Sequence, residues 1–312
     1  PTRDVPAGLA EGLAQNALTN WLCVPIRTAS ETLGVLALAW TSTDPLDDPE
    51  HVDLTVELAS RAAAGLVNAA RYETQRGVAS ALTTSVLPAV LPEVDGLDLA
   101  ARYLPSGAEV GGDWYDALVL DDGRVALTIG DVSGHGLSSG ATMGQLRNAV
   151  RAYVLDGHEP AALLTRLNRL LLRTGPDHVA SVVHAVIDPS TGMAQWAGAG
   201  HPPSLVVDGD GARTLEGRSG PLLGATPEAV YVTEQLTLSI GAALVLYTDG
   251  LVERRDEPID VSIERLVGAL RGASVATADQ LCERALALEG RSTLVDDVCL
   301  LVARRVRARL TA

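Results

Sequence analysis

Val110-Gly111-Gly112-Asp113-Trp114-Tyr115-Asp116 and Gly130-Asp131-Val132-Ser133-Gly134-His135-Gly136 are the stretches from which the fold can be read. Each sets an aspartate beside glycines at one end of an apolar, strand-like run. Trp114 to Leu120 follows Asp113, and Arg124 to Ile129 precedes Asp131. Glycine lets the backbone turn sharply there and leaves no side chain between a carboxylate and a ligand. Two carboxylates presented this way on adjacent strands of a hairpin suggest a site for hard cations. Gly and Asp also dominate ordinary turns, so either segment alone reads equally well as a strand cap.

A second pair of aspartates separates the two readings. Leu244-Val245-Leu246-Tyr247-Thr248-Asp249-Gly250 is an apolar run stopped by Asp-Gly, and Asp296-Asp297-Val298-Cys299-Leu300-Leu301-Val302 is acids leading into an apolar run. Buried strands that begin or end in carboxylates bring negative charges together, which is costly unless something neutralises them. The chain has no Lys, and no Arg lies within either motif. A cation cluster is the natural compensation. An all-oxygen donor set favours Mg²⁺ or Mn²⁺ over zinc, and no H-x-x-x-H or C-x-x-C spacing competes. Two such ions roughly 3.5–4 Å apart suit in-line displacement at phosphorus, so phosphate-ester hydrolysis is the chemistry this set fits. A carboxylate-rich Ca²⁺-binding structural domain ranks lower, because the Asp-x-Asp-x-Asp loop of an EF-hand is missing.

Composition narrows the classes further. The 312 residues carry 24 basic and 39 acidic side chains, a net charge of −15. This argues against nucleic-acid binding, which needs basic surface, but permits a phosphorylated protein substrate if metal ions supply local positive charge. The lack of Lys removes a P-loop lysine or a lysine Schiff base from consideration. Cys23, Cys282 and Cys299 are widely spaced in apolar or helical surroundings, as expected of small buried hydrophobes in a reducing cytoplasm. No apolar run approaches the roughly 20 residues of a membrane span, and no signal segment opens the chain. A cytoplasmic protein without a membrane partner is expected. The length suggests one large domain or two ordinary ones, and a start at Pro1 suggests a piece of a longer chain.

Residues 1–45 read as a helix over Leu9 to Leu18 and a hairpin of Trp21 to Ile26 with Leu33 to Trp40. The hairpin is too small to bury both faces alone. Leu46 to Glu50 is a helix start, and His51 to Leu87 is one long helix or two collinear ones, ended by Pro88 and Pro92. Gly65 and Gly77 interrupt it at a cost of about 1 kcal/mol each relative to Ala. This helix is expected either to pack on the hairpin or to pair in a dimer. Beyond it, strands are expected at Asp98 to Tyr103, Trp114 to Leu120, Arg124 to Ile129, Val179 to Ile187, Ala194 to Ala197, Ser204 to Val207, Val230 to Leu238, Ala243 to Tyr247 and Val298 to Val302. Helices are expected at Ser138 to Leu155, Pro160 to Arg173, Ser262 to Arg271 and Ala278 to Leu288. Hairpin-like runs of strands and paired helices favour an α+β domain of two packed antiparallel sheets flanked by helices.

Six motifs then resemble a known family in their order along the chain: Gly-Gly-Asp-Trp-Tyr-Asp, Gly-Asp-Val-Ser-Gly-His-Gly, Gly198-Ala199-Gly200-His201-Pro202-Pro203, Gly220-Pro221-Leu222-Leu223-Gly224, Tyr-Thr-Asp-Gly-Leu-Val-Glu253 and Asp-Asp-Val. They resemble the SpoIIE/RsbU-like branch of the metal-dependent type 2C serine/threonine protein phosphatases, over about Leu91 to Arg304. The resemblance implies an αββα sandwich with two Mn²⁺ or Mg²⁺ ions and hydrolysis by metal-activated water. The implied substrate is a phosphorylated anti-anti-sigma factor, a small STAS-domain protein of sigma-factor signalling. Asp131 would bridge both ions, helped by the Val132 carbonyl, with Asp113 and Asp249 as further ligands. Either Asp296 or Asp297 completes the set, Asp296 being preferred. Gly112, Gly250 and His135 are second-layer or substrate candidates. His135 sits four residues after Asp131, where a proton-donating role competes with orienting phosphate. His201 is expected to fix a loop by hydrogen bonding, and Trp114 and Tyr115 to be core. Cys299 stands where the branch commonly has threonine. A catalytically silent scaffold in the same pathway is the alternative function.

The front piece resembles the C-terminal half of a GAF sensor domain, on Val24-Pro25-Ile26, Leu33 to Leu38 and the helix from His51. The expected organisation is therefore a partial GAF-like piece at 1–70, a linker helix at 71–90 able to support a homodimer, and the phosphatase-like domain at 91–305.

Overall fold

The computed structural model describes residues 20–40, 49–88, 90–106, 110–175, 177–254, 256–273, 275–288 and 296–308. The helix expected at Leu9 to Leu18 and most of the start at Leu46 to Glu50 lie outside them. The chain divides into two compact units, residues 1–75 and 76–312.

In the first unit, β1 (Asn20–Arg27) and β2 (Thr32–Trp40) form an antiparallel hairpin with Val24 opposite Leu36. Thr28 Oγ1 closes its turn by accepting the Glu31 amide at 3.1 Å. Helix α1 (Pro49–Val86) is a single helix that continues past Gly65. Thr55, Ala59 and Ala63, four residues apart on one face, are buried. Cys23 is exposed, contrary to its expected burial. Strand alternation turns it away from the side on which Val24 is buried.

The second unit is a sandwich of two sheets between helix layers. One sheet contains β4 (Trp114–Val119), β5 (Val125–Val132), β6 (Ala180–Ile187), β7 (Met193–Ala199), β10 (Ser219–Gly220) and β11 (Glu234–Thr237). Its order is β10-β7-β6-β5-β4, with β11 also on β7. The other runs β3 (Leu97–Leu104), β13 (Val298–Arg305), β12 (Ala243–Tyr247), β8 (Leu205–Asp208), β9 (Gly211–Thr214). All pairings are antiparallel except the two-residue parallel pairing of β10 with β7.

Period-2 alternation assigns each strand's side chains to two cores. Val125, Leu127 and Ile129 of β5, Leu244 and Leu246 of β12, and Leu301 and Ala303 of β13 fill the space between the sheets. Ala126 and Val132 of β5 and Val182 and Val186 of β6 face α2 (Leu137–Leu155) and α3 (Pro160–Thr174). Val245 and Tyr247, with Leu300 and Val302, face α4 (Ile259–Leu270) and α5 (Ala278–Leu286). Pro160 opens α3 at a position whose N–H would be unpaired anyway. Thr277 and Gln280 cap α5 reciprocally.

The αββα arrangement matches expectation, with local differences. Strand β5 runs on through Asp131 and Val132 instead of stopping at Ile129. Of the run Val230 to Leu238, only Glu234–Thr237 pairs as a strand. The short strands β9 and β10 carry no apolar run to announce them. No helix among the described residues is long and apolar enough to cross a membrane.

Candidate metal centre

The site lies where the inter-sheet core runs out. The inward face of β5 reads Val125, Leu127, Ile129 and then Asp131. On β6, Val183 is preceded on that face by Ser181, which pairs with Asp131. On β12, Leu246 is followed by Thr248, and on β13, Cys299 is preceded by Asp297. Four strands thus exchange an apolar face for a polar one at the same end of the sandwich. Asp113 enters just before β4, where Trp114 pairs with Gly130 and its indole fills the space a side chain at Gly130 would need.

Hydrogen bonds fix several of these groups. Asp113, 2% exposed, accepts the Thr248 hydroxyl at 2.7 Å, and Thr248 Oγ1 in turn accepts the Cys299 amide at 2.8 Å. Asp297 is buried and held from three sides. Its Oδ2 accepts Tyr103 Oη at 2.6 Å, and its Oδ1 accepts the Ser106 amide at 2.7 Å and hydroxyl at 2.8 Å. Asp296 is exposed and accepts the Asp297 amide at 2.7 Å. Asp249 opens a one-turn 3₁₀ helix, Asp249–Leu251. The glycines are steric necessities. Gly112 packs against the Val132 carbonyl and Asp131 Oδ1, and Gly250 against the Asp297 carbonyl, so a Cβ at either position would collide.

The carboxylates repel one another. Burial, then the charge of Asp249, raises Asp131 to about 7. Burial and the charge of Asp131 hold Asp113 well above the ordinary carboxylate range. Burial and Asp296 raise Asp249. Asp116, only three residues from Asp113, shows the contrasting solution. Arg151 of α2 grips it bidentately at 2.6 and 2.9 Å, and Arg147 Nε lies 3.2 Å away. Arginine therefore reaches the first motif from a helix, but it stops at Asp116. Among the described residues no three acidic, histidine or cysteine side chains already converge on one point. What the structure gathers is an all-oxygen donor set in which burial and neighbouring carboxylates raise Asp113, Asp131 and Asp249, which fits a hard divalent cation.

Of the expected site residues, Asp113, Asp131, Val132, Asp249, Asp296 and Asp297 are brought together with Gly112 and Gly250. His135 is exposed in the β5–α2 loop between Gly134 and Gly136, whose φ angles are 85° and 94°. His201 is buried and bridges Ser181 Oγ at 2.7 Å and the Tyr247 carbonyl at 2.9 Å. Trp114 is fully buried and Tyr115 half-buried. Sequence reasoning missed Thr248, Tyr103 and Ser106, because their roles depend on which strands face each other.

The family model of Stage II sporulation protein E (SpoIIE) matches residues 121–306. Phosphoserine phosphatase RsbP of Bacillus subtilis is 27% identical over 156 residues, which cover 48% of this chain and 39% of that protein. The structure of the RsbU and RsbW domains of Rv1364c from Mycobacterium tuberculosis superposes with a TM-score of 0.65 at 35% identity, covering 72% of this chain and 64% of that one. The SiaA-PP2C domain of Pseudomonas aeruginosa shares the fold, with a TM-score of 0.63 at 19% identity over 78% of this chain and 98% of its own. The chain spans 30 to 39% of the length of the curated relatives it matches. With the motifs, the sandwich and the acidic cluster agreeing, the chain belongs to the SpoIIE family of PP2C-type phosphatase domains.

Proposed function

We propose that this protein is a metal-dependent protein serine/threonine phosphatase acting on a phosphoserine or phosphothreonine of a regulatory protein. The observation that carries the reading is that Asp113, Asp131 and Asp249 are all raised in pKa by burial and neighbouring carboxylates, with no arginine paired to them among the described residues. Two Mn²⁺ or Mg²⁺ ions held by Asp131, the Val132 carbonyl, Asp113, Asp249 and Asp296 would supply Lewis acidity and an activated water at neutral pH. Asp296 is the preferred fourth carboxylate, since both oxygens of Asp297 already accept hydrogen bonds from Tyr103 and Ser106. Thr248 holds Asp113 in place, while Gly112 lets the backbone approach Val132 and Asp131 closely and Gly250 lets it approach Asp297. His135, exposed at the rim, is assigned to orienting the substrate phosphate.

The relatives support a substrate class. RsbP is a phosphoserine phosphatase, and the Mycobacterium tuberculosis protein joins RsbU and RsbW domains in one chain. A phosphorylated STAS-domain anti-anti-sigma protein is the substrate we assign. Residues 1–70 are assigned to a GAF-like sensor and 71–90 to a linker helix that supports a homodimer, with the phosphatase domain at 91–305 and the whole chain in the cytoplasm.

The test is Mn²⁺-dependent hydrolysis of p-nitrophenyl phosphate and of a phosphoserine peptide. Asp131→Asn and Asp249→Asn are each expected to lower kcat at least 10³-fold while circular dichroism stays unchanged, consistent with the several kcal/mol a metal centre contributes. EDTA-insensitive turnover in those variants would overturn the reading. A wild type that binds Mn²⁺ but turns over neither substrate would instead favour a silent scaffold.

A further inference from the structure

We propose that His201 is a positioning residue for the acidic cluster, bolting together the ends of the two sheets that carry Asp131 and Asp249. The inference rests on the metal-dependent reading above. The segment containing His201 carries the chain from β7 in one sheet to β8 in the other. His201 is 7% exposed, and both ring nitrogens are engaged. A carbonyl can only accept, so Nε2 holds the proton it donates to Tyr247 O at 2.9 Å, and Nδ1 accepts from the Ser181 hydroxyl at 2.7 Å. Burial keeps the ring neutral at pH 7, as this arrangement requires.

The two partners are where a bolt would matter. Ser181 sits directly across from Asp131 in the β5–β6 ladder, and directly opposed residues share a face of the sheet. Tyr247 is the last residue of β12, two before Asp249. One rigid planar ring therefore spans from the neighbour of one carboxylate to the backbone that delivers another. Metal sites demand ligand placement within about half an ångström, and loss of an outer partner typically weakens metal affinity about 10- to 100-fold. The thiol of Cys299 offers no comparable tie, because burial pushes its pKa well up and it is the backbone amide and carbonyl of Cys299 that bond Thr248.

The experiment is calorimetric titration of the intact chain with Mn²⁺ alone, alongside thermal unfolding of the metal-free protein. His201→Gln and Ser181→Ala are expected to bind Mn²⁺ at least about 10-fold more weakly, while Ser181→Thr, which keeps the hydroxyl, retains wild-type affinity. Thr128→Val is the control. It removes an equivalent buried hydroxyl–imidazole bond, Thr128 Oγ1 to His184 Nδ1 at 2.8 Å, on the helix-facing side of the same two strands. It should lower Tm comparably and leave Mn²⁺ affinity unchanged. Should His201→Gln not fold, Ser181→Ala decides. Ser181→Ala binding Mn²⁺ within twofold of wild type, or Thr128→Val weakening it equally, overturns the proposal and leaves the metal reading intact. A wild type that takes up no Mn²⁺ overturns both.

Discussion

Asp131 and Asp116 are chemically identical side chains a short distance apart on paired strands, and their surroundings give them opposite tasks. Asp116 is neutralised by Arg147 and Arg151 and ties β4 to α2. Among the described residues the charged groups acting on Asp131 are other carboxylates, and with burial they raise its pKa to about 7. Removing the unmatched charge should therefore stabilise the metal-free fold. Asp131→Asn is expected to gain about 1–2 kcal/mol at pH 8 in EDTA, measured by urea unfolding, while losing activity. A destabilised variant would show that the charge is compensated. The sequence displayed Asp113, Asp131, Asp249 and the Asp296–Asp297 pair because each borders glycine or an apolar run. It could not display Thr248, Tyr103 or Ser106. Their importance comes from contacts 135 or more residues away in the chain, and an isolated hydroxyl carries no local mark of its partner. Gly112 is a sharper case, since its need is steric as well as conformational. Gly112→Ala would drive a methyl group into the Val132 carbonyl and Asp131, and at least a 100-fold loss of kcat with Mn²⁺ is expected. Wild-type kinetics in Gly112→Ala would mean that the two backbones can separate without cost.

At the scale of elements, β5, β6, β12 and β13 are buried on both faces along most of their length, so these strands appear as largely apolar runs and their positions could be read directly. The sequence pattern ends β5 at Ile129 because Gly130 and Asp131 look like a turn, and glycine and aspartate favour turns. Pairing with Ser181 and Ala180 overrides that local preference. The strands β9 and β10 are held by their neighbours and have no pattern of their own. Helix α2 illustrates a link the sequence concealed. Its apolar residues Met143, Leu146, Val150 and Val154 pack on the sheet, while Arg147 and Arg151, one turn apart, reach Asp116. Asp116 and Arg147 are 3% and 7% exposed, so deleting one partner strands a buried charge. Asp116→Ala is expected to destabilise the fold by about 3 kcal/mol in urea denaturation. A loss below about 1 kcal/mol would mean that water reaches the arginines in the variant.

For the whole molecule, two sets of buried titratable groups respond to pH in opposite directions. Burial lowers His184 and His201 from 6.5 to about 4. Between those values the unfolded chain binds protons that the native chain refuses. Their contribution to stability is complete above pH 6.5 and is lost as pH falls toward 4, by up to about 1.4 kcal/mol per pH unit for each proton. The carboxylate cluster behaves inversely in the metal-free protein. Asp131 is raised from 3.8 to about 7, so the native chain holds a proton there that the unfolded chain has released. That contribution grows as pH falls through 7 and offsets the histidines. Bound Mn²⁺ would keep the carboxylates ionised and reverse their sign, because acid must then displace the metal. The acid limb of a stability–pH curve should accordingly be shallow in EDTA and steep in saturating Mn²⁺, with the two curves diverging from about pH 5 up to pH 7. His184→Gln should flatten the limb in both conditions, since this histidine bonds only Thr128 on the face away from the cluster. Urea unfolding at half-unit pH steps measures all four curves. Parallel limbs with and without Mn²⁺ would separate the cluster from metal binding, and an unchanged limb in His184→Gln would remove the buried imidazole as a source of acid sensitivity.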